Sequence, residues 1–228
     1  MIRAVVFDFD GVIANSEPLH FRAYRDVLAE RGLSLTESAY YELYLGFDDV
    51  GAFRAIATDA GRPLTEKEIA DLVAEKAVRL ETLEKAGSVL FPGASEALTR
   101  MASRWPTAIA SGALKAEIVR VLDHESLRAF VPIVVSAEDT PASKPDPAPY
   151  LRAVALLGAG LTGLVPAECV AIEDSRWGLL SARSAGLHTI GITHTYTAAD
   201  LEDTADVVID HLDRLTIDLV ANIARART

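Results

Sequence analysis

Six short runs rich in β-branched residues, each closed by a polar or small residue, set the frame of this chain. They fall at 4–7 (Ala-Val-Val-Phe), 107–110, 133–135, 170–172, 189–192 and 207–209. Runs this short, apolar at successive positions, suit strands buried on both faces. Helical patterns lie between most of them, at 94–104, 113–123, 148–158 and 177–185, and another follows the last run at 212–224. Strands alternating with helices predict an α/β fold, a doubly wound, Rossmann-like parallel sheet with helices on both faces. The local punctuation agrees. Asp146 can cap the helix that Pro147 opens, and Gly186 follows the last helical residue of 177–185.

One interval breaks the alternation. Between Ser16 and Ser88 no strand signal occurs, only amphipathic helical pattern, and Thr65-Glu66-Lys67-Glu68 forms a capping box for a helix running to about Lys85. A connection of about seventy residues is far longer than an ordinary crossover. The spacing predicts an inserted all-helical domain, 16–88, set into a core made of 1–15 and 89–228.

Charge narrows the function classes. Against 33 Asp and Glu stand 22 Lys and Arg, a formal charge of −11, which disfavours nucleic acid or an anionic membrane as the main partner. A few local cations and a metal still permit a small anionic substrate. A single cysteine, Cys169, excludes an internal disulfide and fits a reducing compartment; in the run Cys169-Val170-Ala171-Ile172 it reads as a buried strand thiol. Arg3 and Asp8 interrupt the apolar start, so no signal peptide is expected. The apolar stretch 151–167, broken by Arg152 and Pro166, is too short to span a bilayer. A cytoplasmic protein, monomeric or a small homo-oligomer, is expected.

In open α/β sheets ligands collect at the carboxyl ends of the strands. Here the first run ends in Asp8-Phe9-Asp10-Gly11 and the second in Ser111-Gly112. Lys144-Pro145-Asp146-Pro147 follows the third, and the fourth ends in Glu173-Asp174-Ser175. Each piece alone has a plain structural reading. An Asp-x-Asp can cap a turn, Ser111 can be a helix N-cap, Lys144 a solvated lysine, and Glu173-Asp174 an acidic pair opening a helix. Together they bring four carboxylates, a hydroxyl and an ammonium to one edge. Crowded carboxylates imply a cation, and oxygen donors without His or Cys favour Mg2+. With a hard cation present, one carboxylate can attack phosphorus, and a second, two residues on, can pass the proton.

This ordered set resembles the haloacid dehalogenase superfamily over nearly the whole chain. The motifs that carry the resemblance are Asp8-Phe9-Asp10-Gly11-Val12, Ser111, Lys144-Pro145-Asp146-Pro147 and Glu173-Asp174-Ser175, with the helix Arg176-Trp177-Gly178-Leu179-Leu180-Ser181-Ala182. The insertion is similar to the helical cap of the β-phosphoglucomutase and sugar-phosphatase branch. The resemblance implies that Asp8 is the phosphoryl-accepting nucleophile and a metal ligand. Asp10 would be the general acid/base, its main-chain carbonyl on the metal. Ser111, with Gly112, and Lys144 would hold the phosphoryl oxygens, and Asp174, with Glu173 beside it, would complete the magnesium site. Asp10 argues against a true dehalogenase. Asn15 stands where the family commonly has an acid.

In the insertion, His20 matches a cap histidine of the mutases that couples closure to proton transfer, and Lys76 a cap lysine that approaches substrate; the bland alternatives are a helix-surface histidine and a solvated lysine. Leu45-Gly46-Phe47-Asp48-Asp49 resembles the mutases' substrate loop, with Asp49 where they carry an arginine for the remote phosphate. The reading that follows is a phosphatase acting on a small phosphorylated metabolite such as a sugar phosphate. A β-phosphoglucomutase-like isomerase is the nearest rival. A phospho-accepting receiver domain is disfavoured by the long insertion and by Asp10, and a binding protein on a dead scaffold by the intact motifs.

Overall fold

The computed structural model of the chain describes residues 1–45 and 47–223. Strands β1 (Ala4–Phe7), β2 (Thr107–Ala110), β3 (Ile133–Val135), β4 (Cys169–Glu173), β5 (His188–Ile192) and β6 (Val207–Ile209) form one sheet, all neighbours parallel, in the order β3-β2-β1-β4-β5-β6. That order makes β1 the switch point. The chain winds outward from it on one side through β2 and β3, then on the other through β4, β5 and β6, opening a crevice at its carboxyl end. β1 is wholly buried because it pairs on both edges, Val6 opposite Ala108 and Ala171.

Alternation along the strands builds two apolar faces. Ala4, Val6, Ala108, Ala110, Cys169 and Ala171 pack with Tyr150, Ala153, Val154, Leu157 and Ala182 from the helices Ala148–Gly158 and Arg176–Ser184. Val5, Phe7, Ile109, Val170 and Ile172, fully buried, point to the other face. Small residues in the first set let these helices lie close to the sheet. Cys169 belongs to that layer, and burial pushes its thiol up to about 12, as suits an inert packing residue.

The helix punctuation follows the sequence in most places. Ala148 N–H donates to Asp146 Oδ1 at 2.8 Å, and Gly186, at φ +89°, ends Arg176–Ser184 in the left-handed conformation. The alternative of Ser111 as a helix N-cap does not hold: Lys115–His124 starts after Leu114, and Ser111 Oγ accepts from Ala113 N–H at 3.0 Å and so closes a turn before the helix. One expectation needs correction. The helix expected over 212–224 is a 3₁₀ turn, Leu212–Arg214, then a separate helix Ile217–Asn222. Thr216 interrupts it by accepting from Leu219 N–H, while Arg100 takes the carbonyls of Leu212 and Leu215. Residue 224 lies outside the described residues.

Contacts divide the chain into two compact units, residues 1–15 with the segment from 89 onward, and Ser16–Ser88. The chain leaves and re-enters the first unit through a short antiparallel pairing. Asn15 N–H donates to Val89 O at 2.7 Å and Phe91 N–H to Ile13 O at 3.0 Å. The described part of the second unit is helical: Glu17–Ala29, a short turn Glu37–Ala39 running into a π-type turn Tyr40–Tyr44, Asp49–Asp59 and Glu66–Glu84. Phe21, Tyr24, Leu28, Phe53, Ile56, Ile69 and Leu72 are among the residues of its own core. Thr36, Asp48 and Thr65 cap three of the segments, Thr65 with Glu68 in the full reciprocal box. Among the described residues no helix is long and apolar enough to cross a membrane.

Candidate active site

The carboxyl end of β1 is shaped by Phe9, whose carbonyl accepts from the amides of Val12, Ile13 and Ala14. This tight turn needs Gly11 at φ +78° and sets Asp8 and Asp10 just beyond the strand. Asp8 N–H is held by Ile172 O at 2.9 Å, which ties the end of β1 to the end of β4. On the other side Ser111 N–H is held by Val135 O at 3.0 Å, so Ser111 and Gly112 stand at the end of β2.

Asp8, Glu173 and Asp174 are all buried and offer carboxylate oxygens within 4.8 Å of one another. Lys144 reaches into the group, its Nζ 2.7 Å from Asp8 Oδ1 and 2.6 Å from Glu173 Oε1. The pair with Asp8 is close but out of line for a hydrogen bond, so Asp8 Oδ1 is a buried oxygen without an aligned donor. Glu173 is the opposite case. Its Oε1 accepts from Lys144 and from the Tyr150 hydroxyl at 2.9 Å, and its Oε2 from the amides of Asp174 and Ser175 and from Ser175 Oγ.

Two glycines make room for the acids. A Cβ on Gly11 would stand 2.0 Å from Asp174 Oδ2, and one on Gly178 would stand 1.7 Å from Glu173 Oε1. Each carboxylate therefore rests directly on backbone, a close approach only glycine permits.

Like charges in a dry site raise one another. Burial, then Glu173 and Asp174, push the Asp8 carboxyl well above its ordinary range, with Lys144 pulling it down. Burial and Glu173 push Asp174 up to about 7, opposed by a Thr195 hydrogen bond and by Lys144. Lys144 is raised despite burial, because Asp8 and Glu173 hold its charge. Three carboxylates against one ammonium leave an uncompensated excess of negative charge. With an all-oxygen donor set and a donor-free oxygen on Asp8, these residues fit a hard divalent cation.

Of the residues singled out from sequence, Asp8, Lys144, Glu173 and Asp174 meet here, and Lys144 is partly buried and ion-paired, not a solvated surface lysine. Asp10 is partly exposed next to them in the chain. In the helical unit Lys76, Asp49 and His20 form a second cluster. Lys76, 2 % exposed, donates to Asp49 Oδ1 at 2.8 Å, lies 3.0 Å from His20 Nδ1 and sits over the Tyr24 ring. Tyr24 Oη also donates to Asp49 Oδ1, at 2.5 Å. Asp49 opens the helix Asp49–Asp59 and so is not part of a loop; despite burial, Lys76 holds its carboxyl below the usual range. Burial and then Lys76 lower His20 to about 4, which keeps it neutral. Gly46 lies outside the described residues.

Sequence reasoning missed Tyr150 and His194. His194 Nδ1–H donates to Gly11 O at 2.8 Å and its ring stacks on Phe91 at 3.9 Å, bracing the turn after β1. It follows β5, so the strand-end rule applied once more would have found it. Tyr150 carries no such signal, because it lies inside a helix.

The description of haloacid dehalogenase-like hydrolases matches residues 2–186. Protein CbbY of Rhodobacter capsulatus is 31% identical over 212 residues, covering 90% of this chain and 91% of that protein. Hexitol phosphatase A of Escherichia coli is 31% identical over 220 residues, covering 94% of each. The crystal structure of β-phosphoglucomutase from Clostridium difficile shares the fold, with TM-score 0.78 at 21% identity over 100% of this chain and 99% of that one. The chain belongs to the haloacid dehalogenase-like hydrolases, and it is an enzyme of that family with phosphatases among its relatives.

Proposed function

We propose that the protein is a magnesium-dependent phosphatase of small phosphorylated metabolites, sugar or polyol monophosphates, working through an aspartyl-phosphate on Asp8. The observation that carries the reading is Asp8 itself, a buried carboxylate at the switch point whose Oδ1 has no aligned donor and lies 2.7 Å from Lys144 Nζ. A carboxylate oxygen whose lone pairs are not taken up by a donor can serve as nucleophile toward phosphorus. Asp8, Asp174 and the main-chain carbonyl of Asp10, with Glu173 beside them, would hold the magnesium. When bound it would offset the negative charge of Asp8 and of the phosphoryl oxygens.

Asp8 attacks the phosphorus, the Asp8–O–P bond forms and the bond to the substrate oxygen breaks. Asp10, protonated, gives its proton to that leaving oxygen. Lys144, Ser111 Oγ and the amide of Gly112 hold the phosphoryl oxygens. Asp10, now ionised, takes a proton from water as the water oxygen attacks phosphorus and the bond to Asp8 breaks. Inorganic phosphate leaves and both acids return to their first state.

Hydrolysis is favoured over isomerisation by the state of Lys76 and Arg54 in the helical unit. A mutase has to grip the remote phosphate of a bisphosphate, which calls for a free cation. Lys76 is neutralised by Asp49, and Arg54 is engaged by both oxygens of Glu66 at 2.9 and 3.0 Å. The likeness to hexitol phosphatase A points the same way. The test is a phosphate-release screen over phosphorylated sugars and polyols with magnesium, with β-glucose 1-phosphate scored for isomerisation. Release from monophosphates supports the reading. Efficient isomerisation of β-glucose 1-phosphate without stoichiometric phosphate makes the enzyme a mutase.

A further inference from the structure

Among the described residues, Tyr150 is a buried hydroxyl group in contact with the catalytic cluster to which neither sequence nor family motif gives a task. It lies in the first turn of Ala148–Gly158, just after the segment that delivers Lys144, and it is fully buried. Its Oη donates to Glu173 Oε1 at 2.9 Å, the same oxygen that Lys144 Nζ approaches at 2.6 Å. Its ring lies under the ammonium, with Nζ 5.2 Å from the centroid. A phenylalanine would fill the same volume and keep the ring contact, so packing does not call for the hydroxyl.

The geometry points to a positioning role. We infer that Tyr150 fixes the Glu173 carboxylate, and through it holds Lys144 where the phosphoryl oxygens bind. Lysine is a point charge on a flexible stem, with three donors that can turn toward any acceptor nearby. Asp8 Oδ1 and Glu173 Oε1 compete for this one. With Oε2 tied to Asp174, Ser175 and the start of the helix Arg176–Ser184, the hydroxyl fixes the remaining rotation of the carboxylate. Oε1 then points at Lys144 and draws the ammonium away from hydrogen-bond alignment with Asp8. That leaves the nucleophilic oxygen without an aligned donor. Without the hydroxyl, Oε1 loses a donor and Lys144 can collapse onto Asp8. The role depends on Lys144 serving the phosphoryl group in the reaction proposed above.

The test uses Tyr150→Phe with inorganic phosphate as the probe, measured calorimetrically in saturating magnesium, and magnesium binding measured separately. Phosphate affinity is expected to fall roughly tenfold, the effect of one hydrogen bond to a charged group, while the magnesium midpoint stays within about twofold. In a Lys144→Ala background, Tyr150→Phe is expected to cost nothing more, because its effect passes through Lys144. Unchanged phosphate affinity in Tyr150→Phe overturns the inference, and so does an equal loss in the Lys144→Ala background. A loss confined to magnesium affinity also overturns it, since Tyr150 would then serve the metal. Phosphate binding reads this role without turnover, so an enzyme that hydrolyses no phosphomonoester would sink the proposed function while these binding results still decide the role of Tyr150.

Discussion

Replacing Gly178 by alanine sets two effects of opposite sign against each other. Gly178 lies in the helix Arg176–Ser184, where alanine gains about 1 kcal/mol over glycine from backbone entropy alone. Its Cβ, however, would stand 1.7 Å from Glu173 Oε1, 1.9 Å from Cδ and 2.1 Å from Oε2. The carboxylate cannot yield cheaply, because it is 0 % exposed and its two oxygens accept from Lys144, Tyr150, Ser175 and the amide of Asp174. Moving it far enough breaks two or more hydrogen bonds to a charged group, each worth about 1.5–3 kcal/mol. The clash wins by about 2–5 kcal/mol. Gly178→Ala should therefore unfold at lower urea than the wild type, and its turnover should fall at least tenfold because Lys144 loses its anchor. Urea titration followed by circular dichroism, with phosphate release measured on the same sample, reads both. A variant about 1 kcal/mol more stable than wild type, with full activity, would refute the packing argument.

Three further outcomes are expected. Asp8→Asn should abolish turnover and leave the apo-protein at least as resistant to urea, since it relieves crowding among three buried carboxylates; a folded variant with substantial phosphate release contradicts the role of Asp8. Magnesium must displace the proton that Asp174 holds up to about 7, so its affinity should weaken by about tenfold from pH 8 to pH 6, and calorimetry showing equal affinity would remove the basis of the charge argument. His20 binds a proton only near 4 when folded and near 6.5 when unfolded, so it contributes a loss of stability as pH falls through that window, up to about 3 kcal/mol. His20→Gln, which keeps an acceptor for Lys76, should flatten that part of the urea-midpoint profile, and parallel profiles for the two proteins would disprove it.

Much of the fold was legible because it is written locally. Short apolar runs with both faces covered mark parallel strands, and the described strands fall within a residue or two of them. The error came where a side chain made an unforeseen bond: Thr216 starts its own helix and splits the one expected at 212–224. At the site, Asp8, Lys144, Glu173 and Asp174 were visible because each ends a strand or follows one. Tyr150 and Gly178 were not, since what makes them matter is contact with Glu173. Tyr150 is 23 residues from Glu173 in the chain, and Gly178 meets it across the start of a helix. The pairing of Asp49 with Lys76 was likewise hidden, although each residue had been singled out, because a sequence shows two charges but not that they cancel.

The central claim is that phosphorus becomes bonded to Asp8. Asp10→Asn should slow turnover by roughly 10² or more while leaving metal binding largely intact, since the main-chain carbonyl remains. That variant, mixed with magnesium and a phosphomonoester turned over by the wild type and quenched in acid, should gain the mass of one phosphoryl group on the peptide between Arg3 and Arg22. Fragmentation should place the added mass on Asp8, and the gain should be absent from Asp8→Asn. If neither Asp10→Asn nor the wild type, each quenched while still releasing phosphate at saturating substrate, carries the added mass on Asp8, the account is contradicted.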